Sequence, residues 1–334
     1  VRTGQLDGSP GSAPRRARWL CLEGGMMSRH LLSLLLFLLF LPAADAGAAK
    51  IRIVVETPAG LQQKVYLTRP VNLAPDRPIV FVMHGVGRNA DEYRDQWHEL
   101  AIEHEFLLVV PEFSKRQFPG SEAYNLGNVF DAAGKVRPAA EWSFSAIEPI
   151  FDEVRRRFRM TAKGYAMYGH SAGAQFVHRF LFHVPNARVT RVVAANAGWY
   201  TMPVYNVDFP YGLRNSVVSS ADLAAALRKP VTVLLGEQDI DPQHPSLNRE
   251  PGALLQGLHR FARGQVFFDA AAAAATRLGV PFGWQLATVP GADHDNRLMA
   301  PAAIPYLLDE KGKNAPDSEQ APEPLPEVLP VTGP

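Results

Sequence analysis

The stretch Tyr165-Ala166-Met167-Tyr168-Gly169-His170-Ser171-Ala172-Gly173-Ala174 decides how the rest of the chain is read. An apolar run ends in Gly169-His170-Ser171-Ala172-Gly173, and a helix-compatible run from Ala174 to Leu181 follows at once. This is G-x-S-x-G in a strand, sharp turn, helix setting, where the serine hydroxyl is presented above a sheet edge. Small residues flank the serine because the turn is strained, and a side chain at either glycine would collide with neighbouring elements. Ser171 would stand at a helix N-terminus, where backbone donors help to hold an oxyanion. A glycine-rich turn with an incidental serine fits the same five residues, so the other strand ends must decide.

Outward from this turn the chain alternates strand and helix. Pro78 to Met83 is continuously apolar, as in a strand covered on both faces, and runs into His84-Gly85-Val86-Gly87-Arg88-Asn89. Asp91 to Glu105 has helical spacing, Phe106 to Pro111 reads as another buried strand, and Ser145 to Phe158 as a helix. Downstream, a strand from Arg188 to Ala195 ends in Asn196-Ala197-Gly198-Trp199-Tyr200, and one from Pro230 to Leu235 ends in Gly236-Glu237-Gln238-Asp239. A helix from Asp269 to Leu278 precedes the strand Trp284 to Val289, whose exit loop carries Asp293-His294-Asp295, and a helix to about Leu308 follows. Ile51 to Val55 and Gln63 to Leu67 read as a hairpin about Pro58-Ala59-Gly60. The pattern predicts an α/β fold with a mostly parallel, doubly wound sheet and helices on both faces. Two segments, 112–140 and 199–228, are loop-like, and the aromatics of the second could line a pocket or pack against the core.

Three chemically matched groups fall at strand ends in the order Ser171, Asp239, His294. Serine at its free pKa is a poor nucleophile and needs an imidazole to take its proton; the imidazole needs a carboxylate to fix its tautomer. Asp241, Asp293 and Asp295 are the rivals for the carboxylate role. The amides of Val86 and Ala172 are the expected oxyanion donors. His84, His170, Trp199 and Tyr200 are candidate substrate contacts; His84 is expected to shape its loop and His170 to pack the elbow, neither serving as the base. His178 and His183, on the helix behind the elbow, are expected to be structural.

With these motifs in hand, the sequence resembles the α/β-hydrolase superfamily, and within it the secreted serine esterases similar to poly(3-hydroxybutyrate) depolymerases and feruloyl esterases. The resemblance spans roughly Ile51 to Leu308 and rests on Met83-His84-Gly85, the Ser171 turn, Gly236 to Asp239 and the His294 loop. It implies hydrolysis of a small or oligomeric carboxylic ester through an acyl-enzyme, with no metal or organic cofactor. A peptide or amide substrate, or a non-catalytic binding protein on the same scaffold, are the alternatives. Many polymer-degrading relatives carry disulfides and a separate substrate-binding domain, and neither is expected from these residues.

The remaining composition bounds the surroundings. A net charge of +1 with 20% charged residues over 334 positions argues against a nucleic-acid surface, and Cys21 is the single cysteine. Residues 1–25 read as an upstream extension before a start at Met26 or Met27. Residues 26–46 then have the basic start, apolar core Leu31 to Leu41 and Ala-x-Ala ending of a signal peptide, with an uncleaved anchor as the alternative. The core is shorter than the roughly 20 residues of a membrane span, so no stable membrane association is expected after cleavage. Residues 47–310 are the expected hydrolase domain, exported to periplasm or medium, and 311–334 a disordered Pro- and Glu-rich tail. The sequence sets no oligomeric state.

Overall fold

The computed structural model describes residues 48–308. The expected extension, signal peptide and tail lie outside the described residues. Eight strands form one sheet: β1 (Ala49–Glu56), β2 (Gln62–Arg69), β3 (Ile79–Met83), β4 (Leu107–Pro111), β5 (Tyr165–His170), β6 (Val189–Ala195), β7 (Val231–Gly236) and β8 (Trp284–Val289). Their order is β1-β2-β4-β3-β5-β6-β7-β8, with β1/β2 and β2/β4 antiparallel and the rest parallel. Every residue of β3, β4, β5 and β7 is buried, which is why these strands read as largely apolar runs.

Alternate residues of β3 feed the two sides. Ile79, Phe81 and Met83 pack with the helices α3 (Ile147–Phe158), α4 (Ala172–His183), α5 (Ser220–Arg228) and α7 (Arg260–Leu278). Val80 and Val82 pack with α1 (Ala90–Gln96), the residue Trp97, α2 (His98–Glu103) and α8 (Asn296–Leu307). A short α6 (Pro251–Leu254) lies between β7 and α7. The chain order reverses at β3, with β4 on one flank and β5 on the other, and in such sheets ligands bind beyond the carboxyl ends near the reversal.

Two elements differ from the sequence reading. The helix expected over residues 91–105 is two, meeting at Trp97, whose indole is fully buried between Phe106 and Tyr168. The helix expected from Asp269 begins nine residues earlier, at Arg260. Its inward face reads Arg260, Arg263, Gly264, Phe267, Ala271, Ala274, so buried arginines interrupt the apolar stripe that would have announced it.

Candidate active site

The turn after β5 has the geometry its sequence demands. Ser171 has φ 58° and ψ −116°, a conformation that costs an L-residue on the order of 1–3 kcal/mol and is held by its surroundings. Its amide donates to the Ala195 carbonyl on β6 at 3.0 Å. A side chain at Gly169 would strike the Gly173 carbonyl, and one at Gly173 would strike the Met83 carbonyl at the end of β3. Both glycines therefore let α4 start directly against the sheet.

Ser171, His294 and Asp239 form one hydrogen-bonded chain. His294 Nε2 lies 3.0 Å from Ser171 Oγ, and His294 Nδ1 lies 2.7 Å from Asp239 Oδ2. The carboxylate fixes the neutral tautomer: Nδ1–H donates to Asp239, leaving Nε2 free to accept from the serine hydroxyl. Burial alone would raise the Asp239 pKa. The hydrogen bond and charge of His294, followed by the charge and hydrogen bond of Arg260, outweigh it and hold the carboxyl below its ordinary range. Asp239 is thus an anion at neutral pH, with Arg260 Nη1 donating to its other oxygen at 3.0 Å. The rivals are engaged locally: Asp241 accepts from the Gln243 amide, Asp293 from the Asp295 amide, and Asp295 caps α8.

Asn196, at the end of β6 with φ 49°, joins the loops that carry these groups. Its Nδ2 donates to the Asp293 carbonyl at 2.9 Å and its Oδ1 accepts from the Gly236 amide at 2.8 Å. The Gln238 amide adds a bond to the Ala292 carbonyl, so the Asp239 and His294 loops are tied at two points. The Val86 and Ala172 amides, at the β3 exit and the start of α4, donate to no acceptor among the described residues. Both residues line the pocket that holds Ser171.

The four candidate substrate contacts separate. Trp199 lines the pocket beside Ser171, and His170 lines the adjoining hollow that holds His294. His84 is a correction. It is fully buried, Nδ1–H donates to the Gly85 carbonyl, and Nε2 accepts from the Phe113 amide, so neither nitrogen is left for substrate. Burial pushes its pKa down to about 3 and keeps it neutral, as the structural reading of its loop required. Tyr200 is the second correction: it is fully buried, its ring stacked 4.2 Å from Phe267. His170 packs 4.7 Å from the His294 ring and meets Tyr93 Oη at 3.2 Å, with burial keeping it neutral. His178 and His183 are buried behind the elbow, their Nδ1 atoms against the Ala174 and Arg179 carbonyls.

Arg260 was not legible from the sequence, whereas for the loops 112–140 and 199–228 the sequence allows both bordering the site and packing elsewhere. Arg260 bridges Asp239 to the 244–246 loop through His244 Nδ1 at 3.2 Å and Ser246 Oγ at 2.9 Å. The loop 112–140 borders the site: Ser121 and Asn125 line the pocket, and Tyr124 Oη donates to the His84 carbonyl. In the aromatic segment after Trp199, Phe209 packs on Phe130, and Tyr211 packs on Trp199.

The comparisons with known proteins bear on the fold and the family. Poly(aspartic acid) hydrolase-1 from Sphingomonas sp. KT-1 is 44% identical, with 78% of this chain and 98% of that one covered at a TM-score of 0.75. The poly(3-hydroxybutyrate) depolymerase LpqC from Bordetella parapertussis is 39% identical, with 81% and 93% covered at a TM-score of 0.75. The chain belongs to the α/β-hydrolase superfamily. This superfamily member is a hydrolase. A bifunctional acetylxylan esterase/xylanase from Neocallimastix patriciarum is 22% identical over 129 residues, and the match spans 38% of this chain and 17% of that protein. No family model matches the chain. Among the described residues no helix is long and apolar enough to cross a membrane.

Proposed function

We propose that the protein is an exported serine hydrolase of carboxylic esters that works through an acyl-enzyme. The hydrogen-bonded chain Ser171–His294–Asp239 is the observation that carries this reading. Ser171 Oγ attacks the ester carbonyl as His294 Nε2 takes its proton. Asp239 stabilises the imidazolium, and the Val86 and Ala172 amides hold the oxyanion. The imidazolium protonates the departing alkoxide. Water, deprotonated by His294, then attacks the acyl-serine, releases the acid and returns the proton to Ser171. Export is supported by the signal-like residues 26–46, and no nucleic-acid or membrane partner is invoked.

An amide substrate is the second reading, favoured by the 44% identity to a protein described as a poly(aspartic acid) hydrolase. Short 4-nitrophenyl esters and a fluorogenic amide panel, tested in parallel, separate the two. The ester reading expects turnover of the esters that Ser171→Ala lowers by at least about 10⁴-fold with little change in Tm. Turnover retained in that variant would refute Ser171 as the nucleophile, and turnover confined to the amides would select the second reading.

A further inference from the structure

Ser171 opens on a pocket of about 230 Å³ whose wall includes Asn125, Gln175, Gly198, Trp199 and Asn248, with no charged side chain among its lining residues. Four backbone acceptors of the wall are taken up from behind it, whereas Asn125 Oδ1 accepts from no donor among the described residues. Arg179 Nη1 takes the carbonyls of Asn125 at 3.1 Å and Gln175 at 3.3 Å. Arg263 takes the Gly198 carbonyl through Nη1, and that of Asn248 through Nη2 at 2.9 Å. Four pocket-lining carbonyls are thus engaged by two guanidiniums behind the wall.

The Gln175 amide is oriented by the same arrangement. Its Oε1 accepts from Asn125 Nδ2 at 2.8 Å and from Arg179 Nη1 at 3.3 Å, so Nε2 must face the opposite way, toward Gly198. Gln175 is 7% exposed, and Nε2 has no acceptor among the described residues. The Trp199 indole N–H has none either. Behind these donors, Arg179 and Arg263 are fully buried, and neither meets a carboxylate among the described residues. Arg179 Nη2 lacks any partner there, and its guanidinium lies 4.1 Å from the Trp199 ring centre. Burial pulls their pKa values down to about 9 and about 10, so both remain cations at neutral pH. Buried charges are ordinarily paired, and two buried cations with no carboxylate partner among the described residues, behind a wall that offers Gln175 Nε2, make a field suited to an anion.

We propose that this pocket holds a carboxylate carried on the acyl part of the substrate, with Gln175 Nε2 donating to it and Arg179 and Arg263 supplying the field. The position is distinct from the oxyanion site. Gln175 lies four residues past Ser171, about 6 Å along the axis of α4, which places the anion a few bonds beyond the scissile carbonyl. The proposal rests on the reading of Ser171 as nucleophile and extends it from reaction to substrate: a dicarboxylic acid esterified at one end.

The test compares mono-4-nitrophenyl glutarate and adipate with the same esters methyl-capped at the far carboxylate. The purified protein is expected to show kcat/KM about tenfold or more higher for the free acids at low ionic strength, with the ratio falling as salt is added. Gln175→Leu and Arg179→Met should each lower the ratio severalfold. The ratio is the readout, so a uniform loss of activity cancels, and Gln175→Leu with the wild type suffices if Arg179→Met does not fold. Equal or lower kcat/KM for the free acids in the wild type, or a ratio unchanged by Gln175→Leu, would overturn the subsite and leave the hydrolase reading intact. Hydrolysis of neither ester type would instead overturn the ester reading together with the subsite.

Discussion

Ser171 pays a conformational penalty for its position, and that penalty is measurable. A glycine at φ 58° and ψ −116° relieves on the order of 1–3 kcal/mol of strain, against about 0.5–1 kcal/mol of added chain entropy in the unfolded state. Ser171→Gly is therefore expected to raise stability by about 1 kcal/mol in denaturant melts while removing turnover. A variant less stable than the wild type would show that the turn is not strained as its dihedral angles indicate. At this scale the sequence was most informative: Ser171, Asp239 and His294 meet at hydrogen-bond distance, and Trp199 reaches the pocket. His84 and Tyr200 misled because a polar or aromatic residue at a strand end has the same sequence signature whether it faces the cleft or the core.

At the scale of elements, α7 supports the site through its first turn. Arg260 is buried against Asp239, itself held by His294, so removing the guanidinium leaves a buried carboxylate with half its partners. Arg260→Met is expected to cost about 3 kcal/mol in chemical denaturation and to lower kcat more than it raises KM, because the main loss is the partner that positions Asp239. Unchanged kcat would mean that His294 holds Asp239 without it. The helix was legible only from Asp269, since arginines on a buried face erase the apolar periodicity on which sequence reading depends. The buried parallel strands were legible because each is a short, mostly apolar run. The break at Trp97 was not, because a helix that changes direction around one packed indole keeps its overall spacing.

Among the described residues four imidazoles are buried and kept neutral: His84 at about 3, His183 at about 4, and His170 and His178 well below the ordinary value of 6.5, all chiefly through desolvation. A base whose pKa is depressed in the fold binds its proton more readily when unfolded. Its stabilising contribution is complete above pH 6.5 and is lost as pH falls toward the folded value. Each such histidine removes up to about 1.4 kcal/mol per pH unit in that window, so four of them would exhaust an ordinary domain's stability within a few units. Melts should show Tm nearly flat from pH 7 to 8 and falling steeply from pH 6 to 4.5. A flat Tm down to pH 5 would mean that the histidines are protonated in the folded protein.

The proposed function rests on a serine made nucleophilic by His294. The most direct measurement is the intact mass of the protein after exposure to a fluorophosphonate, with the modified peptide mapped. The expected result is a single phosphonyl group on Ser171, absent in Ser171→Ala and slowed by orders of magnitude in His294→Gln. No label on the wild type, or labelling at equal rate in His294→Gln, would contradict it.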